Sequence, residues 1–121
     1  MRRPWRMGSS RCRTLAVKDD ILSLWHAHRQ AALPDVPRES MGELWVLDEV
    51  IGGCANFYLQ AGGALDAPRK AVLEDCRTDL ARLLPDLEET AASYFSRLET
   101  LAGLLIQAYE EGAEKSGAGP G

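Results

Sequence analysis

The sequence predicts an all-α protein, an antiparallel four-helix bundle in up-down-up-down order with an overhanging C-terminal helix. Three observations predict it. From Val17 onward apolar residues recur every three or four positions, and no run alternates with a period of two. Ala, Leu, Glu and Arg are many while Val, Ile and Thr are few, which favours helix over strand. Breaks at Pro34–Pro37, Gly62–Gly63 and Pro85 divide the periodic stretch into four segments joined by short connections, and short connections favour antiparallel neighbours. At 121 residues the chain forms one domain large enough to bury a core without disulfides.

Helix one is expected over 17–33. Its apolar stripe is Val17, Ile21, Leu24, Trp25, His28, Ala31 and Ala32, and Asp19 and Asp20 fall in the expected first turn, where acids suit the positive end of the helix dipole. Pro34 and Pro37 end it, because proline lacks an amide proton and restricts the residue before it. Helix two is expected from Ser40, which has capping-box spacing to Glu43, to Ala61, with Gly62–Gly63 as its stop. Its apolar residues, from Leu44, Val46 and Leu47 to Phe57, Tyr58 and Ala61, fill an arc of roughly 180°. So wide a stripe needs more than one neighbour, which predicts that helix two is central. Gly52 and Gly53 each cost about 1 kcal/mol relative to alanine in a helix interior, so a close approach or a kink is expected there.

Helix three is expected after Asp66 as N-cap, with Pro68 in its first turn and Val72, Leu73, Cys76, Leu80, Leu83 and Leu84 on its apolar face. Pro85 breaks the chain, and Asp86 with Glu89 marks a second box-like start. Helix four then runs to about Glu111, with a stripe from Leu87, Ala91, Tyr94 and Phe95 through Leu98, Leu101 and Ala102 to Leu105, Ile106 and Tyr109. The expected core is Leu24, Trp25, Leu47, Ile51, Phe57, Cys76, Leu80, Leu83, Tyr94, Leu98 and Leu101. This division makes 1–16 a basic arm expected to be disordered, 17–112 the bundle and 113–121 a flexible tail.

Charge is unevenly placed. Residues 1–13 hold five arginines and no acid, so the rest carries the other nine basic and all eighteen acidic side chains, a net of −9 against −4 for the whole chain. An acidic body repels phosphate, which argues against a nucleic-acid partner except through the arginine-rich arm. The longest uncharged run, Val50 to Leu65, is 16 residues with four glycines, short of the roughly 20 apolar residues that a bilayer span needs. No membrane span and no signal peptide are expected, and the expected location is cytoplasmic.

Catalytic patterns are sparse. A P-loop, a dinucleotide fingerprint, C-x-x-C, H-E-x-x-H and E-x-x-H are all missing, and the acids are expected on outer faces. His28, Cys54 and Cys76 point into the expected core and have the donor types of a zinc set. Their axial levels, at about 1.5 Å of rise per residue, put His28 roughly three turns away from the other two. No metal and no cofactor are therefore expected; the cysteines read as small core hydrophobes and His28 as a core histidine needing a polar partner.

Two surfaces remain. The narrow polar side of helix two carries Trp45, Glu49, Gly52, Gly53, Asn56 and Gln60, with Trp45 as the anchor type. The overhang of helix four, about 26 residues against about 18 in helix three, is expected to expose Leu105, Ile106 and Tyr109. Together these predict a small non-catalytic interaction or regulatory protein acting through helix faces, with itself as a homodimer or another helical protein as partner. The alternative is a ligand-binding bundle, with Gly52 and Gly53 opening a pocket between helices one, two and four lined by Trp25, His28, Tyr58 and Tyr94.

Overall fold

The structure, a computed structural model, describes residues 10–118 of the chain and the side chains of residues 17–112. Four helices, α1 (Ser10–Gln30), α2 (Met41–Gln60), α3 (Ala67–Leu83) and α4 (Glu89–Ala118), make up the fold, and no strand occurs among the described residues. Successive helices are antiparallel, as the contacts between their ends require. Arg82, at the end of α3, pairs with Glu43 at the start of α2, while Lys70, at the start of α3, lies 5.8 Å from the ring centroid of Tyr109, late in α4. No described helix is long and apolar enough to cross a membrane.

The stops and starts have identifiable causes. Gly62 and Gly63 take φ of +73° and +94°, and the Gly63 amide donates to the Tyr58 carbonyl at 2.9 Å, closing α2 with a Schellman turn that a side chain at either position would strain. Asp66 caps α3, accepting the Arg69 amide at 3.0 Å and the Arg69 guanidinium at 2.6 Å. The expected capping box of α2 does not form. Ser40 closes a 3-10 turn over Arg38–Ser40, which takes it out of the extended conformation that a cap needs, and the Glu43 carboxylate goes to Arg82 instead. Asp86 likewise sits in a 3-10 turn, Leu84–Asp86, and α4 begins only at Glu89.

Both ends differ from expectation. α1 begins at Ser10, so residues 10–16 are helical, and Asp19 and Asp20 lie in mid-helix rather than in a first turn. α4 continues to Ala118, which brings most of the expected tail into the helix. Residues 1–9 of the expected arm and 119–121 of the tail lie outside the described residues.

The hub is α4 rather than α2. It packs against α1, α2 and α3, and its pairing with α3 is the most extensive in the molecule. Ala91, Tyr94, Phe95, Leu98, Leu101, Ala102, Leu105 and Ile106 are all buried along it. The α1–α2 contact is the thinnest between consecutive helices. Because α4 fills the middle, the buried arc of α2 is rotated toward its Leu44–Ile51–Ala55 row. Val46, expected in the stripe, is 57% exposed, and Gly52, expected on the polar side, is buried.

α1 also covers the expected overhang. Val17 and Ile21 belong to the same buried cluster as Leu105, Ile106 and Ala108. Leu105 and Ile106 are thus covered within a single copy, and Tyr109 is half-buried.

Candidate functional site

Where α1 and α2 separate, an open cleft of about 480 Å³ reaches down to α4. α1 contributes Trp25, His28 and Arg29 from its last two turns, and the segment after it adds Ala31 and Leu33. α2 contributes Asp48, Glu49, Gly52, Gly53 and Asn56, and Tyr94 of α4 closes the inner wall.

The floor is a three-residue hydrogen-bond network joining three helices. His28 is 4% exposed, and its Nε2–H donates to Asp48 Oδ1 at 2.7 Å. The Tyr94 hydroxyl donates to Asp48 Oδ2 at 3.0 Å. A carboxylate can only accept, so each oxygen serves one donor and His28 Nε2 carries a proton. His28 Nδ1 is then buried with no partner. An unpaired buried polar atom costs free energy comparable to a lost hydrogen bond, so its position at a cleft is informative.

Aromatic packing fixes the network. The His28 ring lies 4.5 Å from that of Tyr94 and stacks at 6.1 Å on Trp25, with 20° between planes. Trp45 meets Tyr94 edge-on at 5.9 Å and Phe95 at 5.4 Å. Burial first, and the Asp48 charge second, push the Tyr94 phenol well above its ordinary range, so it holds its proton and stays the donor.

Glycine makes the cleft possible. A Cβ on Gly52 would stand 2.9 Å from Trp25 Cη2, so only the missing side chain lets the indole edge lie against α2. A Cβ on Gly53 would meet nothing within 4 Å, and this open stretch lies between Glu49 and Asn56, both exposed.

Trp25, His28 and Tyr94 thus come together in the expected pocket. Tyr58 does not join them. It lies ten residues beyond Asp48, about 15 Å along α2, and is buried beside Gly63 at the other end. Of the expected docking residues, Glu49 and Asn56 line the cleft, Trp45 is half-covered by the α4 aromatics, and Leu105 and Ile106 are inside the core.

Asp48 escaped sequence reasoning, which placed the acids outside. Its position carries a signal: it follows Leu44 by four residues and precedes Ile51 by three, which places it on the buried row. A carboxylate there needs donors, and His28 needed a partner.

Cys54 and Cys76 are both buried and free. Burial, followed by the nearby Cys54 thiol, pushes Cys76 up to about 11, and burial likewise raises Cys54, so neither is poised as a nucleophile. Among the described residues no three His, Cys, Asp or Glu side chains are grouped to hold a metal ion. A second groove, about 530 Å³, crosses the α3–α4 seam between Glu74, Arg77, Glu99 and Glu110. Its lining has no aromatic ring and no buried ionisable group, so size does not decide between the two. No known protein family, characterised protein or solved structure matches the chain.

Proposed function

We infer that this protein binds a small molecule in the α1–α2–α4 cleft and does so without catalysing a reaction on it. The observation that carries this reading is the His28–Asp48–Tyr94 network at the cleft floor, with His28 Nδ1 buried and unpartnered. A fully packed apolar seam would cost less than a buried carboxylate and imidazole held among aromatic rings. Polar groups converging in a concave, aromatic-walled site are what ligand recognition requires. The volume suits a compound of one or two rings.

The test is a fragment screen on the full chain by amide-resolved NMR. Binders should shift the Gly52 and Gly53 amides together and lose affinity in a Gly53→Leu variant, which fills the open stretch between Glu49 and Asn56. A screen in which every hit maps elsewhere, or in which Gly53→Leu binds as well as the parent, would overturn the reading.

Self-association through a helix face is the competing reading. With Leu105 and Ile106 buried in one copy, it rests on half-buried Trp45 and Tyr109. It calls for a mass in solution that rises with concentration and returns to that of one chain in a Trp45→Ala variant.

A further inference from the structure

We propose that the ligand is a planar aromatic cation, an aryl amidinium or aryl guanidinium, seated over Gly53 with its charged end at Glu49. This rests on the cleft being a ligand site and adds which chemical class enters it.

The charged groups that line the cleft are two adjacent carboxylates, Asp48 and Glu49, against one cation, Arg29. Asp48 has both oxygens engaged by His28 and Tyr94. Glu49 has no hydrogen-bond or ion-pair partner among the described side chains and stands exposed at the rim, one turn before Gly53. A free carboxylate beside a flat, side-chain-free stretch of helix matches a planar donor pair, which it receives through two parallel N–H···O bonds. The field of the molecule agrees, because residues 14–121 are net acidic and favour approach of a cation over an anion.

Arg29 supplies an internal precedent. Its guanidinium lies 5.9 Å from the centroid of Trp25, so the chain already places a planar cation on that ring. The Arg29 side chain is exposed and can leave for solvent, which makes it a competitor of the ligand. An anion-binding cleft would use the same arginine in the opposite sense, as the residue that holds the ligand.

Three near-isosteric probes separate the charge types: 2-naphthamidine, 2-naphthamide and 2-naphthoate, titrated against the full chain by amide-resolved NMR. The amidine should bind about tenfold more tightly than either other probe, with shifts at Gly52 and Gly53. Glu49→Gln should erase that preference, and Arg29→Gln should tighten the amidine severalfold. Both positions are exposed, so these variants keep the fold, and the amide spectrum checks it directly. Equal or tighter binding of the naphthoate, weakened by Arg29→Gln, would overturn the cation assignment while leaving the cleft a ligand site. So would binding of other fragments at Gly53 with no response to the amidine. Silence at Gly52 and Gly53 from all three probes and from a fragment screen would overturn the cleft reading itself, and this proposal with it.

Discussion

The α3–α4 seam and the α1–α2 seam are built from similar amphipathic helices and use their interiors in opposite ways. α3 buries Leu73, Cys76, Leu80 and Leu83, α4 buries Leu98, Leu101 and Leu105, and the α3–α4 pairing is the most extensive in the bundle. Between α1 and α2 the contact is thin, and what fills it is a histidine, an aspartate, a half-buried tryptophan and a glycine. The first seam derives its stability from apolar area removed from water and from dispersion. The second depends on donors meeting acceptors and on one ring lying against a bare stretch of helix. The difference teaches that one helix, α4, serves both the scaffold and the candidate site: Tyr94 closes the cleft on the same face that carries Leu98, Leu101 and Leu105 into the core.

The largest expected effect tests the apolar seam. Leu98 is fully buried at the centre of α4, and Leu98→Ala should cost about 3 kcal/mol through lost burial and the cavity left behind. Urea unfolding followed by circular dichroism measures it. A loss under about 1 kcal/mol would mean that α4 is not the hub its packing indicates.

Next comes the polar seam. Asp48→Ala removes the acceptor for two donors at once, His28 Nε2–H and the Tyr94 hydroxyl, and should cost about 2 kcal/mol. Tyr94→Phe removes one donor and leaves Asp48 with His28, so its loss should be about half as large. Both are read in the same unfolding experiment. If Asp48→Ala is as stable as the parent, the network does not hold the seam and the contrast between the two sides fails.

The contrast also explains what was legible in the sequence. The α4 stripe is readable almost residue by residue, because one face of that helix is buried against the other three while Ser93, Ser96 and Thr100 face solvent, so the period-3.6 pattern is sharp. The α2 arc was misplaced. Val46 looks like core but faces solvent, and Gly52 looks like surface but lies under Trp25, because a glycine's burial depends on what its neighbour does. Trp25, His28 and Tyr94 were readable as a group from their inward positions. Asp48 was not, since a carboxylate on a buried row signals nothing until its donors, one from each of two other helices, are placed. The early start of α1 was hidden by five arginines in 1–13, whose charge reads as tail while saying nothing against helix.

A smaller effect appears at alkaline pH on the packed side. The Cys76 thiol ionises at its ordinary 9.0 in the unfolded chain and is pushed up to about 11 when folded. Above pH 9 the unfolded state loses its proton first, so stability present below pH 9 declines as pH rises toward 11. Unfolding midpoints measured across this window should fall less steeply in Cys76→Ala than in the parent. Parallel slopes would mean that the folded thiol ionises as readily as the unfolded one.

The smallest effect, and the sharpest, compares two adjacent glycines. Gly53→Ala gains helix propensity with nothing within 4 Å of the new Cβ, so it should stabilise the fold by about 1 kcal/mol. Gly52→Ala gains the same propensity but drives its Cβ to 2.9 Å from Trp25 Cη2, so the indole must move. Moving that ring disturbs its stack on His28 and cancels the gain, leaving Gly52→Ala no more stable than the parent. Its tryptophan emission should shift while that of Gly53→Ala does not. If both substitutions stabilised equally with unchanged emission, Trp25 would not be held against α2. Glycine at 52 would then have no structural cause, and the wall of the cleft on which the ligand reading depends would be absent.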